Sequence, residues 1–177
     1  MAILKVARMG HPVLRHTAKP VPDSAIGSKN LKDLVDDLVV TMREYAGIGL
    51  AAPQVHIPSR VVIVAQPWTE ASDEETVPTA LINPEIVDHS NGVEVAWEGC
   101  LSIPGIRGEV GRWDQIRVRA VSPEGETLEF DADGFPARVI QHEADHLDGI
   151  LFLDRMENLE RLSFLEEYSR YWQDEEE

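Results

Sequence analysis

Residues 139–147 read Val-Ile-Gln-His-Glu-Ala-Asp-His-Leu, and the His-Glu-x-x-His inside them constrains this chain more than any other stretch. On a helix, His142 and His146 stand one turn apart on the same face, so both imidazoles can reach one metal ion. Glu143 sits beside that site, where a carboxylate can take a proton from a water on the metal. The segment is compatible with a helix. Val139, Ile140, Ala144 and Leu147 are apolar, no Pro or Gly interrupts it, and Gly134 and Gly149 bracket it as breakers. Three fixed positions in five also arise by chance on solvated helix faces, so the rest of the chain has to decide.

With 177 residues the chain is long enough for one domain with a real core. Its net charge of -16 disfavours DNA, RNA and anionic membrane surfaces as partners, because phosphates would be repelled. Two acidic runs, 73–75 and the tail from about 173 to 177, read as a solvated loop and a frayed terminus. Cys100 is the sole cysteine and cannot form an intramolecular disulfide, which points to a reducing, cytoplasmic setting. No apolar stretch approaches the roughly 20 residues that span a bilayer, and residues 1–6 lack the layout of a secretory signal.

In chain order, Pro12 opens a short helical turn, and the other residues up to 23 run extended. His11, His16 and His89 read as surface residues. Residues 28–45 predict an amphipathic helix capped by Ser28, with Leu31, Leu34, Val35, Leu38, Val39 and Met42 on one face. Residues 47–54, Gly-Ile-Gly-Leu-Ala-Ala-Pro-Gln, let backbone approach a ligand closely but lack any nucleotide-binding fingerprint, and Gln54 brings an amide donor and acceptor. Strands are expected at 61–65, 80–82, 86–87 and 93–97, with Asn91-Gly92 turning between the last two. A loop is expected over 66–78. Residues 98–107 place Cys100 at a strand end, as a metal ligand, a nucleophile or a small buried side chain. Residues 116–121 and 127–130 form a hairpin around Ser122-Pro123-Glu124-Gly125. Residues 151–153 read as extended, and 157–172 as a charged helix with Leu159, Leu162, Leu165, Tyr168 and Trp172 on its apolar side.

Three blocks in this order, Gly47-Ile48-Gly49-Leu50-Ala51-Ala52-Pro53-Gln54, Glu98-Gly99-Cys100-Leu101-Ser102 and Gln141-His142-Glu143-Ala144-Asp145-His146, resemble those of the peptide deformylases. The resemblance runs from about Arg8 to about Met156. It implies that Cys100, His142 and His146 ligate a divalent metal, with Fe(II) preferred and Zn, Ni or Co able to substitute. It implies that Glu143 is the general base and acid, and that Gln54 and the backbone N–H of Leu101 hold the formyl oxygen. The implied substrates are formyl-methionyl nascent chains. By position, Ile48, Gly99, Phe135, Arg138 and Val139 surround the methionine side chain, and Gly49 and Arg107 contact the peptide backbone. Arg138 can line that pocket with its stem and reach solvent or the peptide with its head, or be a surface arginine. Glu98 and Arg112 are candidates for a pair beneath the site. The family suggests a monomer, with at most a transient ribosome contact.

The expected fold is α+β: short, mostly antiparallel strands around the central metal-binding helix near 135–148, with the 28–45 helix and a C-terminal helix outside, in one domain spanning 1–177. Two other functions fit the same residues. One is a His-Glu-x-x-His metallopeptidase or amidohydrolase, with Glu157 or Glu160 as third ligand. The other is a non-catalytic metal- or peptide-binding protein on the same fold.

Overall fold

A computed structural model describes residues 1–65 and 78–173. Val61, Val62, Ile63 and Val64 make up β2 (Val61–Val64), and all four are buried. A strand buried on both faces reads as a continuous apolar run, because each face meets a different partner. Val61 and Ile63 pack with Leu31, Leu38 and Met42 of α1 (Lys29–Glu44). Val62 and Val64 pack with Ala137, Ile140 and Leu147 of α2 (Gly134–Leu147). The two helices thus cover opposite faces of one sheet.

That sheet has five strands, ordered β1 (Gly49–Ala51), β2, β3 (Thr79–His89), β6 (Gln115–Val121) and β7 (Thr127–Asp133), each pairing antiparallel with its neighbour. A second antiparallel sheet holds β4 (Val93–Cys100), β5 (Ile103–Trp113) and β8 (Leu162–Phe164). Its core of Leu14, Ile103, Val110, Leu151 and Phe152 lies under α3 (Phe152–Arg155). The side chain of Ser28 accepts the Leu31 N–H at 3.3 Å, capping α1. Gly149, just past α2, has φ 73°, and a Cβ there would come within 2.7 Å of the Arg15 backbone. Only glycine both ends the helix in a left-handed turn and admits that chain.

Several local expectations are corrected. The stretch 80–87 is one strand bulged at Asn83-Pro84, where Asn83 has φ 50°. Asn91-Gly92 does not close a hairpin, because β3 pairs with β2 and β6 while β4 joins the other sheet. Residues 151–153 enter α3: Leu151 is its N-cap, and the Leu151 N–H is accepted by Asp154 at 2.7 Å. The continuous 157–172 helix is absent: residues 162–164 add to the edge of β5, and only α4 (Leu165–Tyr171) is helical. Backbone pairing along an open sheet edge outweighed helical periodicity there. The acidic runs at 73–75 and 174–177 lie outside the described residues, as does nearly all of the 66–78 loop.

Candidate active site

Helix α2 is buried almost all round although six of its fourteen residues are polar. Its apolar stripe, Ala137, Ile140 and Leu147, faces the five-stranded sheet. Its polar stripe, Arg138, Gln141, His142 and Asp145 at helical spacing, faces β4 and β5. There every head group finds a partner. Gln141 bridges both backbone groups of Trp113, donating to its carbonyl at 2.9 Å and accepting its N–H at 3.1 Å. Asp145 accepts from Arg112 at 2.5 Å and from Arg155 at 2.6 and 3.1 Å. Arg138 donates to Glu98 at 3.0 Å and to the carbonyls of Glu94 and Val110 at 2.7 and 2.8 Å. Its guanidinium is therefore turned inward beneath the cavity. It is neither a surface arginine nor a head group reaching solvent, because buried Glu98 and the β4–β5 carbonyls offer better hydrogen bonds.

Glu98 is the hub of this network. Arg112 grips it with two parallel hydrogen bonds of 2.9 and 3.0 Å, the pair anticipated from the sequence. Beside Arg112 and Arg138 it meets His142, whose Nδ1 lies 2.9 Å from Oε2. Burial pushes the Glu98 carboxyl up, but the hydrogen bonds and charges of His142 and Arg112 overcome it and hold it at about 2. An ionised carboxylate on Nδ1 fixes the ring and leaves Nε2 facing the thiol.

Cys100 ends β4 with its Sγ 3.2 Å from Nε2 of His146. The ligand atoms of Cys100, His142 and His146 all lie within 4.8 Å of one another, and all three residues are buried. Burial pushes the Cys100 thiol up, but the charges and hydrogen bonds of the two histidines pull it well below its usual value. A thiolate and two imidazoles fit a divalent cation of borderline softness, so the residues present suit a metal. Nδ1 of His146 and Oε2 of Glu143 are buried with no hydrogen-bond partner. Burial raises the Glu143 carboxyl to about 7.

Gln54 lies in a 3-10 turn after β1 and is buried. Its Oε1 accepts the Ala51 N–H at 2.8 Å, which orients Nε2 toward Cys100 Sγ at 3.5 Å and Ser102 Oγ at 3.3 Å. Gly49 in β1 faces Glu143: a Cβ there would lie 2.8 Å from the carboxylate carbon. These groups form the floor of a cavity of about 1150 Å³. The ligands, catalytic groups and peptide contacts implied by the family resemblance line it, Ile48, Leu101, Gly99, Arg107, Phe135 and Val139 included, except His146, which is 1% exposed. Trp97 and Leu165 also line it and were not anticipated. Asp145 and Arg155, which brace Arg112, were also missed. A charged residue at helical spacing from Arg138 and His142 was the available signal for Asp145; Arg155 carried none.

The sequence model of the Polypeptide deformylase family matches residues 3–162. The chain belongs to the peptide deformylase family. Family membership implies a divalent metal, for which the Cys100–His142–His146 cluster is the candidate site. The chain is 44% identical to peptide deformylase 1 of Prochlorococcus marinus, over 88% of this chain and 82% of that protein. It is 44% identical to peptide deformylase 2 of Pseudomonas putida, over 93% of each. Among solved structures, the Acinetobacter baumannii class I type b peptide deformylase bound to Met-Ala-Ser is similar at TM-score 0.81 and 41% identity, covering 88% of this chain and 99% of that one. The peptide deformylase of Thermotoga maritima is similar at TM-score 0.79 and 40% identity, covering 89% and 100%. The metallopeptidase alternative loses its third ligand, since Glu157 and Glu160 are exposed and stand outside the cluster that Cys100 completes. No helix among the described residues is long and apolar enough to cross a membrane.

Proposed function

We infer that this chain is a hydrolase acting on a linear amide: it removes the N-formyl group from nascent peptides and releases formate. Its substrates are formyl-methionyl chains. The observation that carries this is one cavity floored by a buried Cys-His-His cluster, an unpartnered Glu143 carboxylate oxygen and the Gln54 amide, in a chain of this family.

Cys100, His142 and His146 hold the metal, Fe(II) in the cell, with Zn, Ni or Co able to take its place. A divalent cation there supplies Lewis acidity, making water a nucleophile near neutral pH and polarising the formyl oxygen. Glu143 takes the proton from the attacking water and returns it to the departing amine. Glu143 lines the cavity, and its buried Oε2, without a hydrogen-bond partner, suits that role. The Gln54 Nε2–H and the backbone N–H of Leu101 stabilise the oxyanion as it develops. Gln54 is pre-set for this, because its oxygen is already committed to Ala51.

Ile48, Gly99, Phe135 and Val139 enclose the methionine side chain, with the stem of Arg138 beneath them. Gly49 and Arg107 meet the peptide backbone. The Met-Ala-Ser ligand in the similar Acinetobacter structure supports a methionine-first peptide in this cleft. The whole chain works as one catalytic domain, a cytoplasmic monomer meeting nascent chains with at most transient ribosome contact. A lone thiol, buried within the ligand cluster, is consistent with a reducing compartment.

The test is formate release from formyl-Met-Ala-Ser by protein loaded anaerobically with Fe(II) or Ni(II), alongside Glu143→Gln. The expected outcome is metal-dependent release that falls by about 10²–10⁴-fold in the variant. Metal-loaded protein that cleaves unformylated peptides and releases no formate would refute the assignment.

A further inference from the structure

We propose that Ser102 is a positioning residue for Gln54. Its hydroxyl holds one hydrogen of the Gln54 amide so that the other is presented to the reacting centre, and the N-terminal strap from Ala7 to Met9 keeps the two residues at their spacing. This rests on the deformylase reading above, in which Gln54 and the Leu101 N–H stabilise the oxyanion.

The Gln54 amide carries one oxygen and two N–H hydrogens. A backbone N–H can only donate, so the atom that meets the Ala51 N–H at 2.8 Å is the oxygen, and the orientation of the amide follows. Nε2 then has two acceptors for its two hydrogens, Ser102 Oγ at 3.3 Å and Cys100 Sγ at 3.5 Å. The hydrogen given to Ser102 is committed to a side chain of 0% exposure. The other points toward the Cys-His-His cluster, where the oxyanion develops. A planar amide tied at its oxygen alone can swing about that bond. Tied at Oε1 and Nε2 together, it is preorganised, which is what an oxyanion donor needs.

The backbone beneath is tied as well. Leu101 and Ser102 form the two-residue link between β4 and β5. The Ser102 carbonyl accepts the Met9 N–H at 2.8 Å, and the Gln54 carbonyl accepts the Ala7 N–H at 2.7 Å. One three-residue segment thus joins the backbone of Gln54 to that of Ser102, and with it to Leu101, the neighbour that carries the second donor. Ala7 is buried, so water does not compete for its bond. The strap ends in a turn: the His11 N–H donates to the Arg8 carbonyl at 3.0 Å, and Gly10 has φ 101° while Met9 keeps a negative φ. That combination is a type II turn with Met9 at its first central position.

The experiment measures kcat and KM for formyl-Met-Ala-Ser in Ser102→Ala, Gln54→Ala and the double variant, each loaded with Ni(II) and checked for metal by elemental analysis. Ser102→Ala should lower kcat about tenfold, with KM within about twofold and metal retained. In the Gln54→Ala background the same substitution should cost less than about twofold, because the amide it orients is gone. Equal losses in both backgrounds make Ser102 a packing residue and overturn the proposal, as does a Ser102→Ala protein with the parent's kcat. Met9→Pro tests the strap and leaves the buried hydroxyl in place, since proline suits that turn position and deletes only the N–H given to Ser102. It should lower kcat about threefold in the parent and leave Gln54→Ala unchanged. An unaltered kcat in Met9→Pro overturns the role of the strap. Gln54→Ala with the parent's kcat overturns the positioning role while leaving deformylase activity standing. No formate from the metal-loaded parent overturns the deformylase reading, and the positioning role with it.

Discussion

Single side chains at this site are held by groups that leave them little freedom. Gly49 is the sharpest case, since a Cβ would lie 2.8 Å from both Cγ and Cδ of Glu143. Gly49→Ala must push the carboxylate aside without touching the Cys100–His142–His146 cluster. Misplacing a reacting group by about 1 Å costs on the order of 10²-fold in kcat. The expected outcome is a loss of that size in formate release, with metal content retained by elemental analysis. Gln54 carries two separable jobs, because its oxygen holds Ala51 and its nitrogen faces the site. Gln54→Glu keeps the acceptor for the Ala51 N–H and removes the amide donor. It should lower kcat by about 10²–10³-fold with a smaller effect on KM, as expected for loss of an oxyanion donor. A comparable rise in KM alone, with kcat unchanged, would place Gln54 outside transition-state stabilisation.

At the scale of elements, the site is an agreement between α2 and the β4–β5 pair. The polar stripe of α2 would be costly to bury alone, and Glu98, Arg112 and the β4–β5 carbonyls make it complete. The short α3 is tied down in a similar way. Asp154 accepts the Leu151 N–H and pairs with Arg15 of the N-terminal 3-10 turn (Pro12–Arg15). Burial pushes the Asp154 carboxyl up, but Arg15, the Leu151 N–H and Arg155 hold it below its usual value. A carboxyl depressed in the folded state stabilises above its unfolded pKa, and that contribution fades as pH falls through the folded value. Asp154→Asn should therefore destabilise at pH 7 and converge with the parent protein below pH 3.8, the ordinary aspartate value. The pair is substantially exposed and screened, so the difference at pH 7 should be under about 1 kcal/mol by urea denaturation.

For the whole molecule, a bound cation would join the end of β4 to α2, and so join the two sheets through their shared helix. Ligand binding to the folded state alone adds about 2.7 kcal/mol when free metal stands at 100 times its Kd. For a chain of this length that corresponds to a rise in Tm of roughly 5–10 °C. Stripping the protein with a chelator should lower Tm by that amount, and returning Ni(II) should restore it. Cys100→Ser should show little response to chelator, since the cluster then lacks its thiolate. A variant that still responded fully would place the metal elsewhere.

The sequence alone brought forward the residues proposed to carry the chemistry. His142, Glu143 and His146 were legible because helical period puts them together, and Cys100 and Gln54 because their neighbouring residues form recognisable blocks. It also determined α1, β2 and the β6–β7 hairpin, where burial pattern and turn residues are local properties. Only the tertiary structure decided the rest. Arg138 became an internal ion-pair partner because Glu98, 40 positions earlier, turned out to face it. Residues 157–172 gave up a helix because an open edge of β5 was available to Leu162–Phe164. Strand β4 left β3 for β5 despite an Asn-Gly turn between them. Each of these was settled by a partner far away in sequence, and local patterns register only the preferences of a segment, not what it will meet.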